Sequence, residues 1–162
     1  METMETKTLK KSDSLQKSLV KAVLTSMENI AFEEPEILSA PVDIKGETVS
    51  FSLQVVSPYL LTTRLEIPKE LAIKLTRTIY RDDEKEITDV LIDDTVGEFL
   101  NTIIGTMMGE LTLGERIFEM GLPQKSKEKK ETQSGDVRRI FFRIEEVPFF
   151  IEIHGDAFVE PK

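Results

Sequence analysis

The chain contains no cysteine, a single histidine (His154) and no apolar run that approaches the length of a membrane span. Without cysteine, disulfides, thiol catalysis and Cys-based zinc sites are excluded. One histidine cannot build a histidine-rich metal site, and any Ser-His-Asp arrangement would have to use His154 as its base. The N-terminus lacks the apolar core of a signal peptide, so a membrane is not expected as a partner and the location reads as cytoplasmic. Positive charge is in deficit, with 21 Lys and Arg against 30 Asp and Glu, a net charge of −9. Such a chain repels phosphate backbones and anionic lipid, which argues against nucleic acid and membrane surfaces as partners. What remains is ordinary for a soluble globular protein: 162 residues, 40% apolar and 31% charged, enough for one domain with a real core.

The opening "METMETKTLKK" is polar and repetitive, and residues 1–11 read as a disordered tail ahead of a single domain over 12–160. From Ser12 the pattern turns helical, with Leu15, Leu19, Val23, Met27 and Ile30 recurring every three to four residues. Ser12 or Asp13 suits the N-cap, and Pro35 marks the end. "EILSAPVDI", "ETVSFSLQVVS" and "YLLTTRLEI" read as strands, and the second sets Val49, Phe51, Leu53 and Val55 against Thr48, Ser50, Ser52 and Gln54. That alternation implies one buried face and one wet or partner-covered face. A short helix starts at Pro68, with Leu71, Leu75 and Ile79 at helical spacing. After the acidic "RDDEKE", where Asp82 or Asp83 could cap, a long helix runs from about Ile87 to Leu111. "ERIFEMGLP", "DVRRIFFRIEE" and "PFFIEIHGD" are further strand candidates. The apolar-free stretch 124–135 between the first two reads as a mobile, solvated loop. The expected class is α+β, with about three helices packed on a largely antiparallel sheet of about six strands.

The long helix carries the chemistry. At about 100° per residue, Ile92, Val96, Phe99, Leu100, Ile103, Met107 and Leu111 form one apolar arc. Asp94, Gly97, Glu98, Asn101, Gly105 and Gly109 gather on the opposite side. Each interior helical glycine costs roughly 1 kcal/mol against alanine, so three on one face suggest that something must come close. Glu98 and Asn101, three residues apart, project side by side from that bared surface. Two readings follow from the residues alone: solvated acids with glycines that let helices cross closely, or a docking surface.

The string "D-x-x-G-E-x-x-N-x-x-x-G", from Asp94 through Gly97, Glu98 and Asn101 to Gly105, resembles the signature of the CheX and CheC family of chemotaxis phosphatases. The preceding "LEIPKELAIKL" is similar to the strand-to-helix passage before that motif, and a looser likeness extends from about Leu15 to Ile153. The resemblance implies a CheC-like fold and docking of this helix onto a phosphorylated CheY-like receiver domain. It implies that Asn101 enters the partner's active site and orients the water that attacks the phospho-aspartate. Glu98 would pair with the partner's active-site lysine, while Asp94, Gly97 and Gly105 would shape the docking face. The acyl phosphate and its Mg²⁺ would come with the partner, so this chain needs no cofactor or metal of its own. CheC-type members carry a second acid-x-x-asparagine pair on the first helix, but here Glu28 is followed at the third position by Ala31. The chain is therefore closer to the one-motif CheX type, for which a homodimer through sheet edges is implied. The alternative is a non-catalytic response-regulator adaptor or a module related to the flagellar switch.

Other features suggest less. His154 reads as a surface or hairpin histidine. Asp82, Asp83, Asp93 and Asp94 lack the convergent spacing of a metal site. The paired Phe141-Phe142 and Phe149-Phe150 suit core packing, or an aromatic edge buried in a dimer.

Overall fold

A computed structural model describes residues 4–57, 60–81, 86–112, 118–126 and 137–155, with the side chains of the first helix described from Ser14 onward. The elements, in chain order, are α1 (Met4–Ala31), β1 (Glu36–Ile37), β2 (Thr48–Ser57), β3 (Leu61–Pro68), α2 (Lys69–Tyr80), α3 (Asp89–Leu111), β4 (Glu119–Met120), β5 (Gln124–Lys125), β6 (Val137–Ile144) and β7 (Val147–Gly155). The seven strands form one antiparallel sheet in the order β1-β6-β7-β3-β2-β4, with β5 also paired to β2. Three helices on such a sheet are the expected α+β class, with seven strands among the described residues in place of about six.

Register decides which side chains meet the helices. Phe51 lies opposite Leu65, Leu65 opposite Ile151 and Ile151 opposite Ile140, so one apolar row crosses four strands. Leu53, Thr63 and Ile153 form the next row, where the buried Thr63 hydroxyl donates to the Leu53 carbonyl at 2.9 Å. On this face lie the buried Leu15, Leu19, Val23 and Met27 of α1, Leu71 and Leu75 of α2, and the inner side of α3. Phe99, Phe142 and Phe149 are almost completely buried, and each such side chain contributes about 1.5–3 kcal/mol of transfer free energy. The helices also pack on one another, α3 against both α1 and α2.

Several expectations shift. α1 starts at Met4, so residues 4–11 are helical and the start falls well before Ser12 and Asp13. The physical reason is composition: Met, Glu, Lys and Leu are good helix formers, and no proline or glycine interrupts the chain before Pro35. The helix ends where Pro35 implied, with Phe32 in the left-handed region at φ 56°. β1 keeps only Glu36–Ile37 of the expected strand, because Leu38 makes one last bond to the Phe141 carbonyl before the chain leaves the edge. α3 is capped by Thr88, whose side chain accepts from the Leu91 amide at 3.2 Å. Asp82 and Asp83 lie outside the described residues, as does most of the 124–135 stretch, of which Gln124–Lys125 is β5.

The doubled phenylalanines divide between the two faces, as strand alternation requires. Phe142 and Phe149 stack toward the helices with centroids 5.4 Å apart. Phe141 and Phe150 meet on the other face at 5.2 Å, and the Arg64 and Arg139 guanidinium groups lie over the Phe150 ring at 5.1 and 5.0 Å. Between those arginines sits Glu152, accepting from Arg139 Nε at 2.7 Å and from Arg64 Nε at 3.1 Å. Burial pushes the Glu152 carboxyl up, but the hydrogen bonds and charges of Arg139 and Arg64 outweigh it, and the group titrates below its ordinary value of 4.5. A carboxyl lowered by folding stabilises the protein above its unfolded pKa, and that contribution is lost as pH falls through the folded one. Glu152→Gln should therefore destabilise the domain by about 1–3 kcal/mol at neutral pH. In urea unfolding, the gap from wild type should narrow progressively below pH 4.5. A gap independent of pH would mean that the arginines do not hold this carboxylate.

Candidate functional site

α3 owes its position to its apolar arc. Ile92, Val96, Phe99, Leu100, Ile103 and Met107 are all buried, and Leu111 is partly so. Ile104 and Met108 are fully buried as well, which widens the covered side beyond the arc read from the sequence. With those side chains fixed, the opposite face has to point away from the core. Asp94 and Glu98 are exposed, and Asn101 and Gly105 are half-exposed. Adjacent on that face, Glu98 and Asn101 have Cβ atoms about 5–6 Å apart, the i, i+3 separation of any α-helix. Among the described residues neither side chain makes a hydrogen bond, so both keep their full bonding capacity for an outside group.

The glycines separate into two kinds. A Cβ added at Gly105 or Gly109 would meet nothing within 4 Å, so no internal packing calls for a glycine there. Gly97 is different. It is buried, and a Cβ there would lie 3.4 Å from Phe51 Cε1 and 3.6 Å from Pro123 Cβ. Its missing side chain serves the chain itself, by letting the segment 118–126 lie against the helix. That segment is held firmly. The Gly121 amide donates to Gln54 O at 2.7 Å, the Ser126 amide to Ser50 O at 2.8 Å, and Lys125 Nζ pairs with Asp93 Oδ2 at 3.0 Å.

Three of the expected site residues, Asp94, Glu98 and Asn101, thus share one open face with Gly105, while Gly97 sits at its buried margin. The 118–126 arm beside that margin was missed in the sequence, where "ERIFEMGLP" reads only as a strand. His154 is half-buried on β7 opposite Thr62 and Val137, two residues beyond Glu152 on the sheet face away from the helices and so on the other side of the sheet from α3. Among the described residues no three His, Asp or Glu side chains converge to hold a metal ion, and no helix is long and apolar enough to cross a membrane.

The two glycines in open space give a direct test of this geometry. Gly105→Ala and Gly109→Ala should each stabilise the domain by about 1 kcal/mol, the ordinary helix-propensity gain. Gly97→Leu should destabilise it by about 1–3 kcal/mol by forcing Phe51 and Pro123 apart. Chemical denaturation of the three variants reads both effects. A stability loss in Gly105→Ala would mean that this face is covered after all.

Comparison with known proteins places this architecture. Residues 49–145, which run from β2 through the helix pair to the β6–β7 turn, match the family described as chemotaxis phosphatase CheX. No curated protein matches in sequence. Among solved structures, a CheC-like superfamily protein from Shewanella sp. PV-4 superimposes with a TM-score of 0.72 at 17% identity, over 87% of this chain and 96% of that one. The chemotaxis protein CheX from Vibrio vulnificus gives 0.70 at 18%, over 86% and 95%. The CheX of a CheX–CheY–BeF₃–Mg²⁺ complex from Borrelia burgdorferi gives 0.66 at 14%, over 85% and 95%. At these identities the superpositions speak for the fold, while the family match spans more than half of the sequence; the chain belongs to the CheX family of chemotaxis phosphatases.

Proposed function

We infer that this chain removes phosphate from the phospho-aspartate of a CheY-like receiver domain in chemotaxis signalling, by docking the open face of α3 onto it. The observation that carries the reading is the pair Glu98 and Asn101, side by side and unbonded among the described residues, on a helix face whose Gly105 and Gly109 leave clearance. In support, the Borrelia burgdorferi relative is a CheX in complex with CheY, beryllofluoride and Mg²⁺.

The chemistry asked of the chain is small. An acyl phosphate is already reactive, so holding a water in line with the acyl P–O bond can supply much of the acceleration. The Asn101 amide suits that task, since its oxygen accepts a water proton, its nitrogen donates, and it does not titrate. The water oxygen attacks phosphorus, the acyl P–O bond breaks, and the receiver's aspartate is regenerated with release of inorganic phosphate. Glu98 reaches the same pocket as a carboxylate and pairs with a lysine of the receiver. Metal chemistry stays with the partner, which brings its own Mg²⁺ and phosphoryl group. Asp94 and Gly105 shape the contact, and a cytoplasmic location belongs to the same reading. So does a homodimer, for which the outer edge of β6 before Phe141 offers backbone groups that β1 does not occupy among the described residues.

Phosphate release from a panel of phosphorylated receiver domains tests the assignment. Asn101→Ala should reduce the acceleration by about 10²–10³-fold, or about 2.7–4 kcal/mol, while complex formation persists. Glu98→Ala should weaken binding as well as turnover, because it removes a charged contact across the interface. Full acceleration by Asn101→Ala on a receiver that wild type dephosphorylates would sink the mechanism and favour an adaptor.

A further inference from the structure

Resting on that reading, we propose that Thr102 is a further contact residue of the α3 face. Its hydroxyl bonds a neutral main-chain group of the docked receiver beside Glu98, and so sets affinity without taking part in the chemistry.

The helix has its own uses for threonine. Thr88 caps its start by accepting from the Leu91 amide at 3.2 Å. Thr95 donates to the Leu91 carbonyl at 2.9 Å, and Thr112 to the Met108 carbonyl at 2.9 Å. Helical threonines commonly rest the hydroxyl on the carbonyl one turn back, and in α2 both Thr76 and Thr78 do so. Thr102 and Thr106 do not. Among the described residues neither of these two hydroxyls makes a hydrogen bond.

Position separates the two. Thr102 lies four residues after Glu98, the spacing at which Cβ atoms stand about 5–6 Å apart on one helix face. At about 100° per residue, Glu98 falls between Asn101 and Thr102, roughly 60° from the first and 40° from the second. The carboxylate therefore has an amide on one side and a hydroxyl on the other. Thr106 stands eight residues beyond Glu98, about 12 Å along the axis, too far to share a partner group with it.

The domain itself gains nothing from the Thr102 hydroxyl. Threonine is a weaker helix former than Glu, Lys or Ala, and this one is half-exposed with no internal bond to offset that. What it offers is a neutral group that donates or accepts, fitted equally to an amide or a carbonyl. Three residues on, an added Cβ at Gly105 would meet nothing within 4 Å, which leaves room for a partner's backbone to approach. The contact that results is insensitive to salt, unlike the ionic one through Glu98.

Binding of beryllofluoride-loaded receiver domains, measured alongside steady-state dephosphorylation, tests the assignment. Thr102→Val removes the hydroxyl and keeps the shape; it should raise Kd and KM about three- to tenfold with kcat unchanged. Thr102→Ser should restore most of the affinity. Thr106→Val makes the same change one turn farther on, and both constants should stay within about twofold of wild type. Thermal unfolding should not move in either valine variant. If Thr102→Val binds and turns over like a wild type that dephosphorylates its receiver, the proposal is overturned and the phosphatase reading stands. A fall in kcat at constant KM would overturn it too, because the hydroxyl would then act on the chemistry. So would a loss of affinity that tracks a loss of thermal stability, which marks a structural role. Failure of wild type to bind any loaded receiver would overturn this contact and the reading beneath it together.

Discussion

One helix is buried along most of its circumference, and nearly everything else in the domain follows from that constraint. α3 puts Ile92, Val96, Phe99, Leu100, Ile103, Ile104, Met107 and Met108 into the core. Below it lie β2 and β3, beside it α1 and α2, and along one margin the arm of residues 118–126. A helix clamped in this way has little freedom to roll. The narrow strip left over, Asp94, Glu98, Asn101 and Gly105, is therefore held in a fixed direction by packing, and among the described residues neither Glu98 nor Asn101 makes a hydrogen bond. That suits groups whose task is positioning, since an internal bond would have to be broken before docking.

The opposite face of the sheet solves a different problem. Phe141 and Phe150 point away from the helices, and Arg64, Arg139, Glu66 and Glu152 surround them. Aliphatic stems and guanidinium planes cover the rings, while the carboxylates satisfy the guanidinium donors. A sheet with helices on one side only thus keeps a second, partly ionic layer on the other. Because the Glu152 carboxyl titrates below its ordinary value, its part in that layer is lost only as pH falls through the lowered pKa.

Much of this was legible in the sequence, and the losses have physical causes. The period-two alternation of Val49 to Val55 gave β2 its inward face, and the wheel of α3 separated core from surface at most positions. Where segments are short or irregular the signal failed. β4 and β5 are two residues each, too short for alternation to register, so the arm and its exposed Leu122 could not be foreseen. The β6–β7 turn passes through Glu145 and Glu146, with Glu145 in the left-handed region at φ 55° and no glycine or asparagine to announce it. Lys74 of α2 pairs with Glu145 at 2.7 Å, a tertiary contact that no local pattern contains. Gly97 shows the same limit within the site: on the wheel it joins the open face, yet Phe51 of β2 and Pro123 of the arm, both distant in sequence, bury it.

The candidate site itself was the most legible part because the chemistry proposed for it is sparse. A reaction whose electrophile is already activated leaves little for a catalyst to contribute beyond a fixed dipole and a fixed charge. On the proposed reading two side chains three residues apart on a rigid helix provide both, and that spacing is visible in any linear string. Recognition is distributed differently. On the proposed reading it draws on clearance at Gly105 and on the margin at Gly97, against which Pro123 of the 118–126 arm packs. Chemistry confined to a single turn of helix can be read from four letters, whereas a docking surface assembled from two separate segments appears only when they fold together.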